Sequence, residues 1–304
     1  MLQPFINAFE SLPDAAKTAA RRGALDAFLK QGLPTTELED WKYTDLAPLA
    51  ALNVDALLPQ TDVFEPSADT FEDGLDALNA AFSGGERRQV IAGLRQFDSG
   101  HHQRLKLKVN TAAELRLTDE TRAGFSTFFA DIELAPGAKL KLVRLQNAAA
   151  DAQRVSRIRV RLQRDARLEA LTVDLGGQLI RHDFDVSLEG PGTEVILHGL
   201  FAPAGHAHVD NHTRIDHRAP NGSSREFFRG LAFDQSRAVF NGKIVVHPQA
   251  QKTDSEQRIA SLLLSPKAEI NAKPELQIEA DDVKCAHGAT FGQLDENALF
   301  YLRS

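Results

Sequence analysis

From about Leu105 to the C-terminal end, apolar residues fall on alternate positions, which restricts the chain to strands with one face on a core. Leu105 and Leu107 alternate with lysines, Ile132 and Leu134 with Asp131 and Glu133, and Ile158, Val160 and Leu162 with arginines. The alternation continues through Phe184, Val186 and Leu188, then Val195 and Leu197, then Phe240, Gly242, Ile244 and Val246. Short polar turns carrying a small residue recur between these runs, at Gly137-Ala138, Asp165-Ala166, Gly192-Thr193, Gly222-Ser223, Arg237-Ala238 and Lys267-Ala268. Steps of roughly 27 to 30 residues, with one of about half that, mark a repeat array. No long helix fits between the strands, so a doubly wound sheet is disfavoured. A parallel β-helix and a jelly-roll sandwich remain, and the repeated corner residue favours the β-helix. The expected fold is therefore mainly β, with a parallel β-helix core over 101–304. Its flat outer faces would suit side-by-side protein contacts.

The first hundred residues read differently, as an N-terminal helical or mixed region over 1–100. Leu12 to Lys30 predicts a helix, with Asp14 as its cap after Pro13 and Gly32 and Pro34 as its stop. Glu39-Asp40-Trp41-Lys42-Tyr43-Thr44 holds the only tryptophan and reads as an anchor pinning this region to the main body. Ala77 to Phe82 predicts a short helix and Gln89 to Leu94 a strand.

Composition narrows the function classes. The net charge of −7 argues against a nucleic-acid binder, which would present a basic surface. One cysteine in the chain excludes an intrachain disulfide and gives no sign of an oxidising compartment. The N-terminus lacks the pattern of a secretory signal, and no window approaches a membrane span. The default location is cytoplasmic.

The chemistry concentrates at Asp281 to Thr290, which holds Cys285 and, two positions later, His287. On a strand these share a face, roughly 7 Å apart at their roots, near enough for thiolate and imidazole to reach one metal ion. Apolar residues occupy even positions at Leu276, Ile278 and Ala280, then odd positions from Val283, so a corner is expected near Asp281 and Asp282. Gly288 suggests a further bend. Cys285 is read in two ways: as a small buried hydrophobe, or as a ligand with His287. Iron–sulfur clusters usually take four protein ligands, so the second reading requires the others to come from another chain.

Two other chemistries compete. His206, His208 and His212, with Asp210 or Asp216 as carboxylate, resemble a cupin-type metal run and raise the alternative of a metal-dependent enzyme. The other reading of that cluster is a solvated strand face. Nucleophilic catalysis has little support, because no Gly-x-Ser-x-Gly elbow occurs.

Several ordered blocks carry a resemblance: Phe240 to Val246, Ala250-Gln251-Lys252-Thr253-Asp254, Leu262 to Ser265, Pro274 to Ile278, Asp281 to Thr290, and Leu299-Phe300-Tyr301-Leu302-Arg303-Ser304. Together they resemble the SufB/SufD family of iron–sulfur cluster assembly proteins, on the SufD side of that family. The resemblance implies a β-helix core between helical regions and pairing with SufB through the β-helix. It also implies association with the ABC-type ATPase SufC, and a non-enzymatic scaffold role with turnover belonging to the ATPase. Cys285 and His287 match residues of the junction where iron or a nascent cluster would sit, with no cofactor held by the chain alone. A homodimer is conceivable for the isolated subunit. Family members continue past the Phe-Tyr-Leu-Arg-Ser block into ATPase-binding helices, which are absent from this chain; the SufC contact is an expectation without a segment here.

Overall fold

The computed structural model describes residues 2–52, 57, 59–66, 70–98, 101–120, 123–293 and 296–304. Strand pairing begins with β1 (Arg87–Asp98) and β2 (Gln103–Asp119), which run parallel with one register shift between Ile91 and Gly93. The long β2 feeds two columns of strands. Its first half, Gln103 to Val109, pairs with β3 (Gly124–Leu134), and its second half, Ala112 to Asp119, pairs with β4 (Lys139–Gln146). One column continues through β5 (Ala152–Leu162), β7 (Leu179–Leu188), β9 (His208–His217), β11 (Arg237–Val246) and β13 (Glu269–Ile278). The other continues through β6 (Arg167–Asp174), β8 (Glu194–Phe201), β10 (Ser223–Ala232), β12 (Asp254–Leu263) and β14 (Lys284–Gln293). Pairing is parallel in both columns, so the chain is a parallel β-helix, as the alternation and the corner residues imply.

The corners explain the repeat. Gly137, Asp165, Gly192, Asn221 and Lys252 all have positive φ and occupy one corner, successive members lying 27 to 31 residues apart. Each amide in this stack donates to the next rung: Gly137 to Arg164 O, Asp165 to Pro191 O, Gly192 to Pro220 O, Asn221 to Gln251 O and Lys252 to Asp282 O. Glycine, asparagine and aspartate adopt this backbone most readily; Lys252 does so inside the ladder. Gly205 and Asp234, also at positive φ, mark the opposite corner. Arg237 and Lys267 belong to that second corner, which accounts for the half-length step in the repeat.

Inward positions build one long core in which Leu105, Ile132, Leu142, Val160, Phe184, Phe201, Phe228 and Ile244 are almost fully buried. Phe228 and Phe240 meet across the two columns at 4.6 Å. The lower rungs also enclose charge, with Arg144 on Asp174 at 2.7 Å and Arg154 paired with Asp119.

The N-terminal region packs as a second core. Its elements include α1 (Gln3–Glu10), α2 (Ala19–Gln31) and α3 (Gly74–Ser83). Phe5, Phe28, Phe82 and Leu78 bury against Phe125, Phe129 and Val155 of the sheet. Arg21 donates to the carbonyls of Ala81 and Ala16, tying α2 to α3. Arg104 reaches Asp76 of the wholly buried α3. The helix expected over Leu12 to Lys30 divides: Asp14 to Ala16 form a separate turn, and α2 starts after Thr18, whose hydroxyl accepts from the Arg21 amide at 3.3 Å. Thr18 has the extended backbone of a cap and satisfies one orphan donor, so it and not Asp14 sets the start. Helix α1 was not expected, although Phe5, Ala8 and Phe9 carry helical spacing on its buried face. Among the described residues no helix is long and apolar enough to cross a membrane.

Candidate functional site

Stacking ends at β13 and β14, each hydrogen-bonded along one edge only. Register fixes which way their side chains point. Cys285 stands over Ser255, His287 over Gln257, Ala289 over Ile259 and Phe291 over Ser261. Those four β12 positions are buried on the inner face, so Cys285, His287, Ala289 and Phe291 also face inward. Among the described residues no rung lies above them, and they form an open end: Phe291 is 49 % exposed and His287 is exposed, while Cys285 is half-buried against the core. From the facing column, Ile270, Ala272 and Leu276 of β13 present a partly covered apolar wall. Unpaired strand edges with an uncovered inner face are what natural sheets ordinarily hide.

The expected corner before the pair is present. Ala280 is buried, Asp281 and Asp282 turn, the Asp282 amide donates to Gln251 Oε1 at 3.0 Å, and the Lys284 amide bonds Thr253 O at 2.8 Å to start β14. Gly288 makes no bend. It lies mid-strand over Arg258, where an added Cβ would meet nothing. Ladder pairing continues to Gln293, so the glycine's freedom is not used for a turn.

Chemically the open end offers one thiol and one imidazole on a single face. Among the described residues no group of three or more His, Cys, Asp or Glu side chains is placed to hold a metal ion.

That result bears on the histidine run, and the cupin-like expectation for His206, His208 and His212 is corrected. The fold is a parallel solenoid and not a jelly roll, and its histidines are engaged elsewhere. His206 lies exposed in a turn. His208 Nε2 meets the Thr44 hydroxyl at 2.8 Å. His212 Nε2 lies 3.0 Å from Asp210 Oδ1 and 2.9 Å from Arg181 Nη1. Asp210 also accepts from Thr44, and from Arg181 Nη1 at 2.7 Å, while the Arg181 guanidinium stacks on Trp41 at 4.2 Å. Burial acts to raise the Asp210 carboxyl, but Arg181, His212 and Thr44 hold it far below the usual carboxylate range. Burial lowers His208, and it drives His217, bonded to Ser224 at 2.9 Å, down to about 4. His208, Asp210 and Arg181, with His212 behind them, form the socket for the Trp41 segment, which is the anchor that Glu39 to Thr44 implied, while His217 faces the core. Trp41 is buried while Tyr43 is exposed, so one aromatic residue is the anchor. Lys273 of β13 ties the same segment through Glu39 at 2.7 Å. Asp210 was read in the sequence as a carboxylate of the histidine run, and Arg181, which completes the socket, carried no signal beyond its alternation on a strand.

Residues 92–304 match the family described as SUF system FeS cluster assembly, SufBD core domain. An iron-sulfur cluster assembly SufBD family protein of Synechocystis is 34% identical over 180 residues, 59% of this chain. Iron-sulfur cluster assembly protein SufD of Escherichia coli is 40% identical over 130 residues, 43% of this chain. Protein ABCI7, chloroplastic, of Arabidopsis thaliana is 36% identical over 175 residues, 57% of this chain. The matched stretches take up 40%, 31% and 37% of those relatives' own lengths, so the chain spans well under half of each.

Proposed function

We propose a function from one premise: the chain belongs to the SufBD family of iron–sulfur cluster assembly proteins, as a SufD-like member. On this reading it is a non-enzymatic scaffold subunit. It pairs with SufB through the open end of its solenoid, and it works alongside the ATPase SufC. Cys285 and His287 form one half of a site that receives iron or a nascent cluster as cargo.

The observation that carries the reading is the open end. An inner face made of Cys285, His287, Ala289 and Phe291 would ordinarily be covered by another rung. A partner's terminal rung, stacked on β13 and β14, would satisfy both edges, cover Phe291 and Leu276, and bring further ligands to the pair. The thiolate and a neutral imidazole are donors suited to iron and to cluster sulfur chemistry. Two donors hold an ion weakly, and four hold it well, which ties cargo binding to subunit pairing.

The test is reconstitution with SufB and SufC, comparing the unaltered chain with Cys285→Ser and His287→Ala. Cluster formation should fall in each variant while the complex still forms. Undiminished cluster formation in an intact complex would remove the ligand role.

A further inference from the structure

Below Cys285 and His287 the inner wall changes character. The column that ends in Cys285 runs Leu140, Leu168, Val195, Ser224 and Ser255, and the column that ends in His287 runs Leu142, Ala170, Leu197, Glu226 and Gln257. Both are aliphatic for three rungs and polar for the two rungs directly beneath the pair. Ser224, Glu226, Ser255 and Gln257 are all buried. Polar groups buried in a core cost stability unless bonded, and continuing the aliphatic columns would avoid that cost.

The second column has a direction. Gln257 Nε2 donates to the Glu226 carboxylate, which sets the amide with its NH2 toward Glu226. Its Oε1 is buried and has no hydrogen-bond partner among the described residues. Gly242 leaves room for that amide from the opposite column, since a Cβ there would stand 2.2 Å from Gln257 Nε2. One rung higher, at the sheet spacing of about 4.8 Å, stands the exposed imidazole of His287, which lines the same surface pocket as Gln257.

We propose that Glu226 and Gln257 are positioning residues for His287, with Gln257 Oε1 accepting one imidazole N–H so that the other ring nitrogen stays unprotonated and ready to act as a ligand. A ring with one nitrogen committed as donor has a fixed tautomer and a fixed direction for its remaining lone pair. Glu226 acts one step back, by preventing the amide from turning over. This rests on the reading of His287 as a ligand, but its test does not require a cluster.

The test uses the full chain labelled with 15N-histidine and a long-range proton–nitrogen correlation spectrum recorded where the ring is neutral. His287 is assigned by its loss in His287→Gln. One dominant tautomer is expected in the unaltered chain. A neutral hydrogen bond supports a roughly fivefold preference, and Gln257→Met and Glu226→Leu should lose it. Glu226→Gln keeps an acceptor for the Gln257 amide and should retain it. Two exchanging tautomers in the unaltered chain would overturn the proposal without any variant, and so would an unchanged spectrum in Gln257→Met. A fixed tautomer alongside undiminished cluster formation in His287→Ala would separate the failure of the ligand role from the failure of this positioning.

Discussion

Two parts of the molecule hold histidine beside other ligand-type groups, and they have opposite fates. On the outer face of β7 and β9, His208, His212, Asp210 and Arg181 are gathered around Trp41 and Thr44, and each partner is engaged. At the open end, Cys285 and His287 face into a core that stops short of covering them. The first place is rich in donors and has none to spare. The second is poor in donors and leaves both free of ion pairs with the rest of the described chain. What distinguishes a docking socket from a candidate site is therefore whether the fold consumes the donors, not how many the sequence supplies.

The sharpest way to break this contrast is to disable the socket. Asp210→Ala leaves buried Arg181 with one carboxylate, Asp183, in place of two and takes from Thr44 and His212 the acceptor they share, and should cost about 3–5 kcal/mol in denaturant unfolding and open the N-terminal segment to proteolysis. A loss below about 1 kcal/mol would mean the cluster is not what holds that segment.

Next in size comes the polar column under the open end. Burial lifts the Glu226 carboxyl from 4.5 to about 7, against the pull of Gln257 and Thr213. Between pH 4.5 and 7 the unfolded group has lost its proton while the folded one retains it, so this residue's contribution to stability falls as pH rises through that window. Glu226→Gln should remove that slope and raise stability above pH 7 by about 3 kcal/mol, as read from unfolding at several pH values. Asp210 has the opposite sign: its depressed carboxyl stabilises at neutral pH, and that contribution is lost only on strong acidification.

Thr44→Val should cost about 1–2 kcal/mol, because it takes one donor from a buried carboxylate that keeps two others. The smallest effect belongs to the open end itself. Cys285→Ser should change the stability of the isolated chain by no more than about 0.5 kcal/mol, and His287→Ala should cost about 1 kcal/mol, the worth of its one hydrogen bond to Gln257. A large loss there would recast the pair as structural.

Much of this was legible in the sequence. Alternation from Leu105 onward and the recurring corner residues specify stacked strands, because each is a local requirement of the rung. The corner at Asp281 and Asp282 was visible as a change of phase. What could not be read was which groups would meet across sequence distance. Thr44 reaches His208 and Asp210 over more than 160 positions, and no local pattern announces that contact. The histidine run looked like a ligand set because its occupants lay so far away. Gly288 misled for the converse reason: glycine permits a bend, but the ladder to β12 holds it straight.

The most direct measurement is the reactivity of Cys285 toward a thiol reagent, in the dilute isolated chain and again with saturating SufB. We expect ready modification of the isolated chain and strong protection once the partner covers the open end. A thiol already inert in the dilute chain, or one left equally reactive in the complex, would contradict the view that this end is kept open for a second subunit.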